Sequence, residues 1–399
     1  MSQLKIAIPT EKGLKADRGS RISDEIYVED FGSIWLPFTN LNKTDTTDRS
    51  SGDNLRRSKL KLCSRLDSMQ IQSKFATRPN HAGGPAPQKL TELDFQPRDP
   101  QMSPSGDSVI FSAGTDQPLR RELFSLGLSD GQLTQLTNRE VNLSWHPSIS
   151  PDGTKIAYVV EKQGRSDLQV MNVDGTGNVN LSNNNKGFWS PSWSPDGSKI
   201  ITTSRDTARG NLELVEFAAD GSSKAQATSI GVNTDLPQYS PDGQYIVFGL
   251  APGFGPQVLA SMSTETSELK TYSRNVMLVD EPVVTEDNKI IFSGSVRDGH
   301  FRLYEVEIGS DEEPRVLVDA DRASNVTLSP DGSRIAYVDK GKNGSFQIFE
   351  ANRDGSEPHQ VSPDEGYSTS PVYTPDGNSL VYISSREGDK ELYIQNLRN

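Results

Sequence analysis

The stretch Pro147-Ser148-Ile149-Ser150-Pro151-Asp152-Gly153-Thr154-Lys155-Ile156-Ala157-Tyr158-Val159 decides the fold. It reads as a short strand, a tight turn, and a second strand rich in β-branched and aromatic residues. Pro151 presets φ at the second position of the turn, Asp152 can cap nearby amides, and Gly153 takes the left-handed residue that closes it. A hairpin follows. The turn recurs as Ser103-Pro104-Ser105-Gly106, Ser194 to Gly197, Ser240 to Gly243, a degraded Thr285-Glu286-Asp287-Asn288, Ser329 to Gly332 and Thr374 to Gly377, with starts 47, 44, 46, 45, 44 and 45 residues apart. Seven units of near-constant period indicate propeller blades or a related array, not independent domains.

Working outward from each turn, the second strands are continuous apolar runs: Val109 to Phe111, Ile156 to Val159, Ile246 to Phe248, Ile290 to Phe292, Ile335 to Val338 and Leu380 to Ile383. Such runs suit central strands covered on both faces. Third strands alternate instead, as in Asp167 to Val173, Arg302 to Ile308 and Glu391 to Leu397, and are expected to be half solvated. Weaker fourth segments, such as Leu133 to Thr137 and His359 to Ser362, complete each unit. The prediction is an all-β, seven-bladed β-propeller of four-stranded antiparallel blades over residues 88–399. The seventh unit has no fourth segment after its third strand. Leu90-Thr91 lies 13 residues before Ser103, much as Leu136-Thr137 lies 14 before Ser150. Pairing of Gln88 to Leu93 with Glu391 to Leu397 is therefore expected, and would remove two exposed sheet edges.

Charge and composition narrow the function. Lys and Arg number 41 against 54 Asp and Glu, a formal net charge of −13, and the single cysteine cannot close an intrachain disulfide. Residues 1–88 carry 14 basic and 10 acidic side chains, net +4; residues 89–399 carry 27 and 44, net −17. The larger part should repel nucleic acid and anionic lipid. No run of about 18 apolar residues offers a membrane span, and the N-terminus lacks the apolar core of an export signal. Residues 1–87 read as a polar extension, with disorder expected over most of 10–85: residues 40–60 are almost wholly polar and 78–88 are rich in Pro and Gly.

Repeated Ser-Pro-Asp-Gly followed by an Ile-Ala-Tyr-type strand, with Ser204-Arg205-Asp206 and Ser385-Arg386-Glu387 leading into third strands, resembles the β-propeller repeat of TolB-type proteins over about 310 residues. Related repeats form the propellers of prolyl-oligopeptidase-type peptidases, the tricorn protease and oligogalacturonate lyase, so the motif specifies fold far better than activity. The resemblance implies action through protein partners and a periplasmic or secreted location. TolB has six blades and a folded N-terminal domain, whereas seven units are present here.

Gly127-Leu128-Ser129-Asp130-Gly131 matches the Gly-x-Ser-x-Gly pattern of a nucleophile elbow, but sits between third and fourth strands and reads as an ordinary β-turn. His81, His146, His300 and His359 are too scattered for a zinc signature. Cys63 lies in the polar extension with no basic partner arrangement, each Asp-rich turn supplies one carboxylate where calcium needs several oxygens, and no cofactor is implied.

Repeat position is more telling. His146 opens a first strand, and its equivalents are Asp99, Ser190, Leu236, Glu281, Asn325 and Ser370. In a propeller these residues gather at the channel mouth, at the end opposite the turns. A ring that varies while the scaffold repeats is what a grafted ligand site would show. Loops between second and third strands reach the same mouth and carry Arg205, Arg297 and Arg386, at offsets of 11, 12 and 12 residues from the start of their turns. These arginines either brace blades or capture a carboxylate. Asp298 and His300 share one such loop, and Trp145 and Trp189 adjoin the ring. The expected site comprises Asp99, His146, Glu281, Arg205, Arg297 and Arg386, in a non-catalytic module for a peptide segment, partner protein or small polar ligand. The alternative is a polysaccharide lyase or hydrolase whose acid, base and ion come from ring residues on several blades, with His146, Asp99 and Glu281 able to hold a divalent ion.

Overall fold

The computed structural model describes residues 86–398 except 94–95, 116–119, 139–142, 183–186, 206–209, 252–256, 273–274, 279, 281 and 297. The expected disorder over 10–85, and with it His81 and Cys63, lies outside the described residues, as do Glu281 and Arg297.

The described residues form seven antiparallel blades and contain no helix. Counted outward from the channel, blade 2 illustrates the plan: a first strand Leu143–Ile149, a second Lys155–Lys162, a third Arg165–Asn172 and a fourth Val179–Asn180. First strands of neighbouring blades adjoin one another around the ring, including blade 1 against blade 7. The fourth strand of blade 7 is Gln88–Lys89, paired antiparallel with Glu391–Asn396 so that Gln88 faces Ile394 and Lys89 faces Tyr393.

The turns stack on one another. A Cβ placed on Gly106 would lie 3.1 Å from Pro375 Cδ, and Gly153 faces Pro104, Gly197 Pro151, Gly243 Pro195 and Gly377 Pro330 in the same way. Gly106 holds φ at 78°, so a side chain there would meet both a forbidden backbone and the next blade. Inside every turn but the first, which has Ser105 in its place, a carboxylate ties the loop: Asp196 Oδ1 accepts from Ser194 Oγ at 2.6 Å and from the Ser198 N–H at 3.0 Å.

Second strands are buried along almost their whole length, and the core is a series of clusters between adjacent blades rather than one central mass. Third strands are not half solvated as their alternation suggests. In Arg165–Asn172 all six interior residues are buried. Neighbouring blades cover both faces, and the alternating polar residues are buried with dedicated partners. Thr137 Oγ1 donates to Glu122 and accepts the Leu123 N–H at 2.9 Å. The same acid–hydroxyl latch joins Ser182 to Asp167, Thr228 to Glu213 and, with Gln as acceptor, Ser362 to Gln347. Blade 7 makes it between Thr91 and Glu391, 300 residues apart, with the Leu392 N–H on Thr91 Oγ1 at 2.9 Å.

Candidate functional site

At the channel mouth the chain repeats a backbone rather than a residue type. The first strands of six blades carry a one-residue bulge, for example between Trp145 and Ser148 or between Trp189 and Ser192. The residue at each bulge has left-handed φ: Asp99 52°, His146 48°, Ser190 49°, Leu236 55°, Asn325 46° and Ser370 54°. Each such non-glycine residue costs about 1–3 kcal/mol, sustained by the surrounding sheet. All six are half-buried, and each is followed by a buried Pro or, after Asn325, by Val326. Bulges re-aim side chains at rims, and here they set every described ring residue in one conformation.

Three polar groupings occupy this rim. In blade 1, Asp99 Oδ2 lies 3.5 Å from Ser112 Oγ, which in turn receives Arg121 Nη1 at 3.3 Å. Burial, then the Arg98 guanidinium, pushes the Arg121 pKa down, with Asp99 acting the other way. Across blades 2 to 4, Asp235 accepts from Thr203 Oγ1 at 3.0 Å, from the Leu236 N–H at 2.8 Å and from Ser190, while His146 acts on it from blade 2, two blades away. Burial nevertheless prevails and raises the Asp235 pKa. The His146 ring stacks on Trp145, with centroids 5.0 Å apart at 16°, and its buried Nδ1 has no hydrogen-bond partner among the described residues. Across blades 5 to 7, Asp280 accepts from the Asn325 N–H at 2.8 Å and from its side-chain amide, and Asn325 Oδ1 accepts from Thr369 Oγ1 at 2.9 Å.

The structure divides the expected site. Asp99 and His146 both lie on the rim but in separate groupings, and among the described residues no three His, Cys, Asp or Glu side chains are placed to share a metal ion. Arg205 is exposed and lies over the Trp189 ring, 5.7 Å from its centroid. Arg386 is instead a brace: it pairs with Glu365 at 3.1 Å, lies over Tyr393, and its side chain is only 13% exposed. Asp298 is taken by Arg302 at 2.7 Å, and His300 Nδ1 sits 3.2 Å from Asp321. The Gly127–Gly131 segment is a hairpin turn, closed by the Gly131 N–H on the Gly127 carbonyl at 3.0 Å. Trp193 is buried between blades and donates to the Ser148 carbonyl at 2.9 Å. Sequence reading missed Asp235, Asp280 and the bulge itself; the recurring Pro after the ring position was the available signal.

Comparison with known proteins agrees with this architecture. The TolB beta propeller domain family matches residues 85–283. A protein TolB homolog of Chlorobium luteolum is 34% identical over 68 residues, which is 17% of this chain and only 15% of that protein's length. Among solved structures, an oligogalacturonate lyase in complex with manganese superposes with a TM-score of 0.67 at 16% identity, covering 82% of this chain and 96% of that one. An oligogalacturonate lyase from Vibrio parahaemolyticus gives 0.66 at 14%, covering 82% and 97%. The propeller domain of the Trilobed protease from Pyrococcus furiosus gives 0.55 at 14%, covering 77% and 95%. At these identities the likeness is one of fold, shared by proteins of different activity. Repeat, blade plan and matches together place a TolB-type β-propeller repeat in this chain.

Proposed function

We propose that the chain is a non-catalytic binding module that takes a peptide segment of a partner protein at the mouth, over blades 2 to 4. The observation that carries this reading is the exposed Arg205 guanidinium over Trp189, on the same rim as His146, whose buried Nδ1 has no hydrogen-bond partner among the described residues, and its Trp145 platform. Half-buried tryptophans and an exposed arginine are the side chains that anchor interfaces, and the guanidinium fork suits a peptide carboxylate. Glu281 and Arg297 remain proposed members of the same rim.

The test is to pan a random peptide library on the full chain and measure the enriched peptides against Trp189→Ala and Arg205→Ala. The expected result is binding weakened at least about tenfold by either change, with thermal stability kept. Peptides that bind both variants as tightly as the parent would place the surface elsewhere. Turnover of an acidic oligosaccharide, with or without manganese, would replace the reading by the enzyme one.

A further inference from the structure

The turn end of the interface between blades 5 and 6 breaks the repeat at three positions that meet in space. First, the blade 5 turn has Glu286 and Asn288 where other units have Pro and Gly; Asn288 takes the left-handed φ of 57°, and no atom lies within 4 Å of a Cβ placed on the following blade's Gly332. Second, Tyr239 and Tyr373 each donate to a third-strand glutamate of the preceding blade, Glu216 at 2.6 Å and Glu350 at 2.9 Å, but blade 6 has Leu328 at that place. Third, Arg353 stands where other blades have Leu128, Val173, Ala219, Thr264, Ile308 and Leu397, all making the same backbone hydrogen bond after the third strand.

Beside these departures lies a cleft of about 420 Å³ whose lining sets Lys289, Arg315 and Arg353 against Asp287, Glu305 and Asp354. Glu305 is 4% exposed and pairs with Arg315 at 2.6 Å and with Arg353. Two guanidinium groups therefore meet one carboxylate. Burial alone would raise the Glu305 pKa, yet the hydrogen bonds from Arg353 and Arg315 outweigh it and hold the carboxyl below its usual range. Arg353 Nη2 is buried without a hydrogen bond among the described residues, with Asp287 Oδ1 3.7 Å away. Arg315 is 56% exposed, so its fork is accessible from solvent.

We propose that this cleft binds a small ligand through an anionic oxygen group, a carboxylate or a phosphate, held by Arg353 and Arg315. The site is separate from the mouth, at the other end of the blades, and does not depend on peptide binding there. Ser333 lines the same cleft and supplies a further donor, as does Lys289, whose ammonium lies 3.2 Å from Asp287.

Calorimetric titration of the full chain with inorganic phosphate and with succinate, at ionic strength fixed by chloride, tests it. The expected result is saturable binding of one anion at millimolar or lower concentration, and the tighter of the two identifies the group. Arg315→Ala, at an exposed position, should weaken it at least about tenfold. Arg353→Leu with Glu305→Gln, which restores the residue type found at Leu128 and Leu397, should abolish it. Absence of saturable binding of either anion, or equal binding by Arg315→Ala, overturns the proposal, and the Arg315 variant decides if the double variant does not fold.

Discussion

The two ends of each first strand repeat in different ways. At the turn end the residues recur, Ser or Thr, Pro, Asp and Gly, and glycine relieves the left-handed backbone. At the mouth the backbone recurs while the residues change from Asp to His, Ser, Leu, Asn and Ser, so the left-handed φ is borne without glycine, by Asp, His and Asn, which tolerate it best, and by Ser and Leu. One end conserves composition and is scaffold; the other conserves geometry and leaves the side chain free to vary. A surface built the second way can differ at every blade without altering the fold.

The largest expected effect concerns what holds the ring against which both ends are measured. Thr91→Val removes the hydroxyl that serves both the Glu391 carboxylate and the Leu392 N–H, and should cost about 3 kcal/mol by chemical denaturation. Thr137→Val removes the same latch within blade 1 and should cost a similar amount. A far smaller loss for Thr91 would mean that the last blade is not tied as the others are.

At the mouth, Ser370→Val places a β-branched residue at φ 54° and should destabilise by about 1–3 kcal/mol, while Ser370→Gly should stay within about 1 kcal/mol of the parent. Equal tolerance of Val and Gly would show that the rim backbone is not fixed as described.

Acid titration sharpens the contrast further, because the same residue type is shifted in opposite directions at the two ends. The Ser194 hydroxyl, then the Ser198 N–H, lowers the Asp196 pKa from its usual 3.8 to about 2, and the equivalent bonds from Ser329 and Ser333 take Asp331 to about 2. These turns contribute stability that is present above pH 3.8 and lost as pH falls toward 2. Burial raises Asp235, so its folded form holds a proton that the unfolded form has released; its contribution falls as pH rises through the window above 3.8. Carboxyl-carbon NMR should show Asp235 titrating above 3.8 and Asp196 well below it. Titration of Asp235 alongside the turn aspartates would erase the distinction.

The turns and second strands were legible in sequence because Pro, Gly and continuous apolar runs fix local geometry directly. The third strands were not, since Glu122, Asp167 and Glu213 alternate with apolar neighbours as a solvated face would, and only the hydroxyl that each accepts reveals that they are buried. Repeat position alone puts Asp99 and His146 at equivalent bulges, but how they group depends on contacts between blades that periodicity does not encode. Arg205 and Arg386 share a sequence context and differ in fate because Glu365 engages only the second.

Indole N–H signals give the most direct test of the division between the two ends. Trp145 and Trp189 sit on the rim, and Trp193 lies at the turn end, each assignable by substitution with Phe. Titration with a peptide selected on the full chain should move the Trp145 and Trp189 resonances and leave Trp193 in place. Movement of Trp193 with the rim signals unchanged would contradict the account.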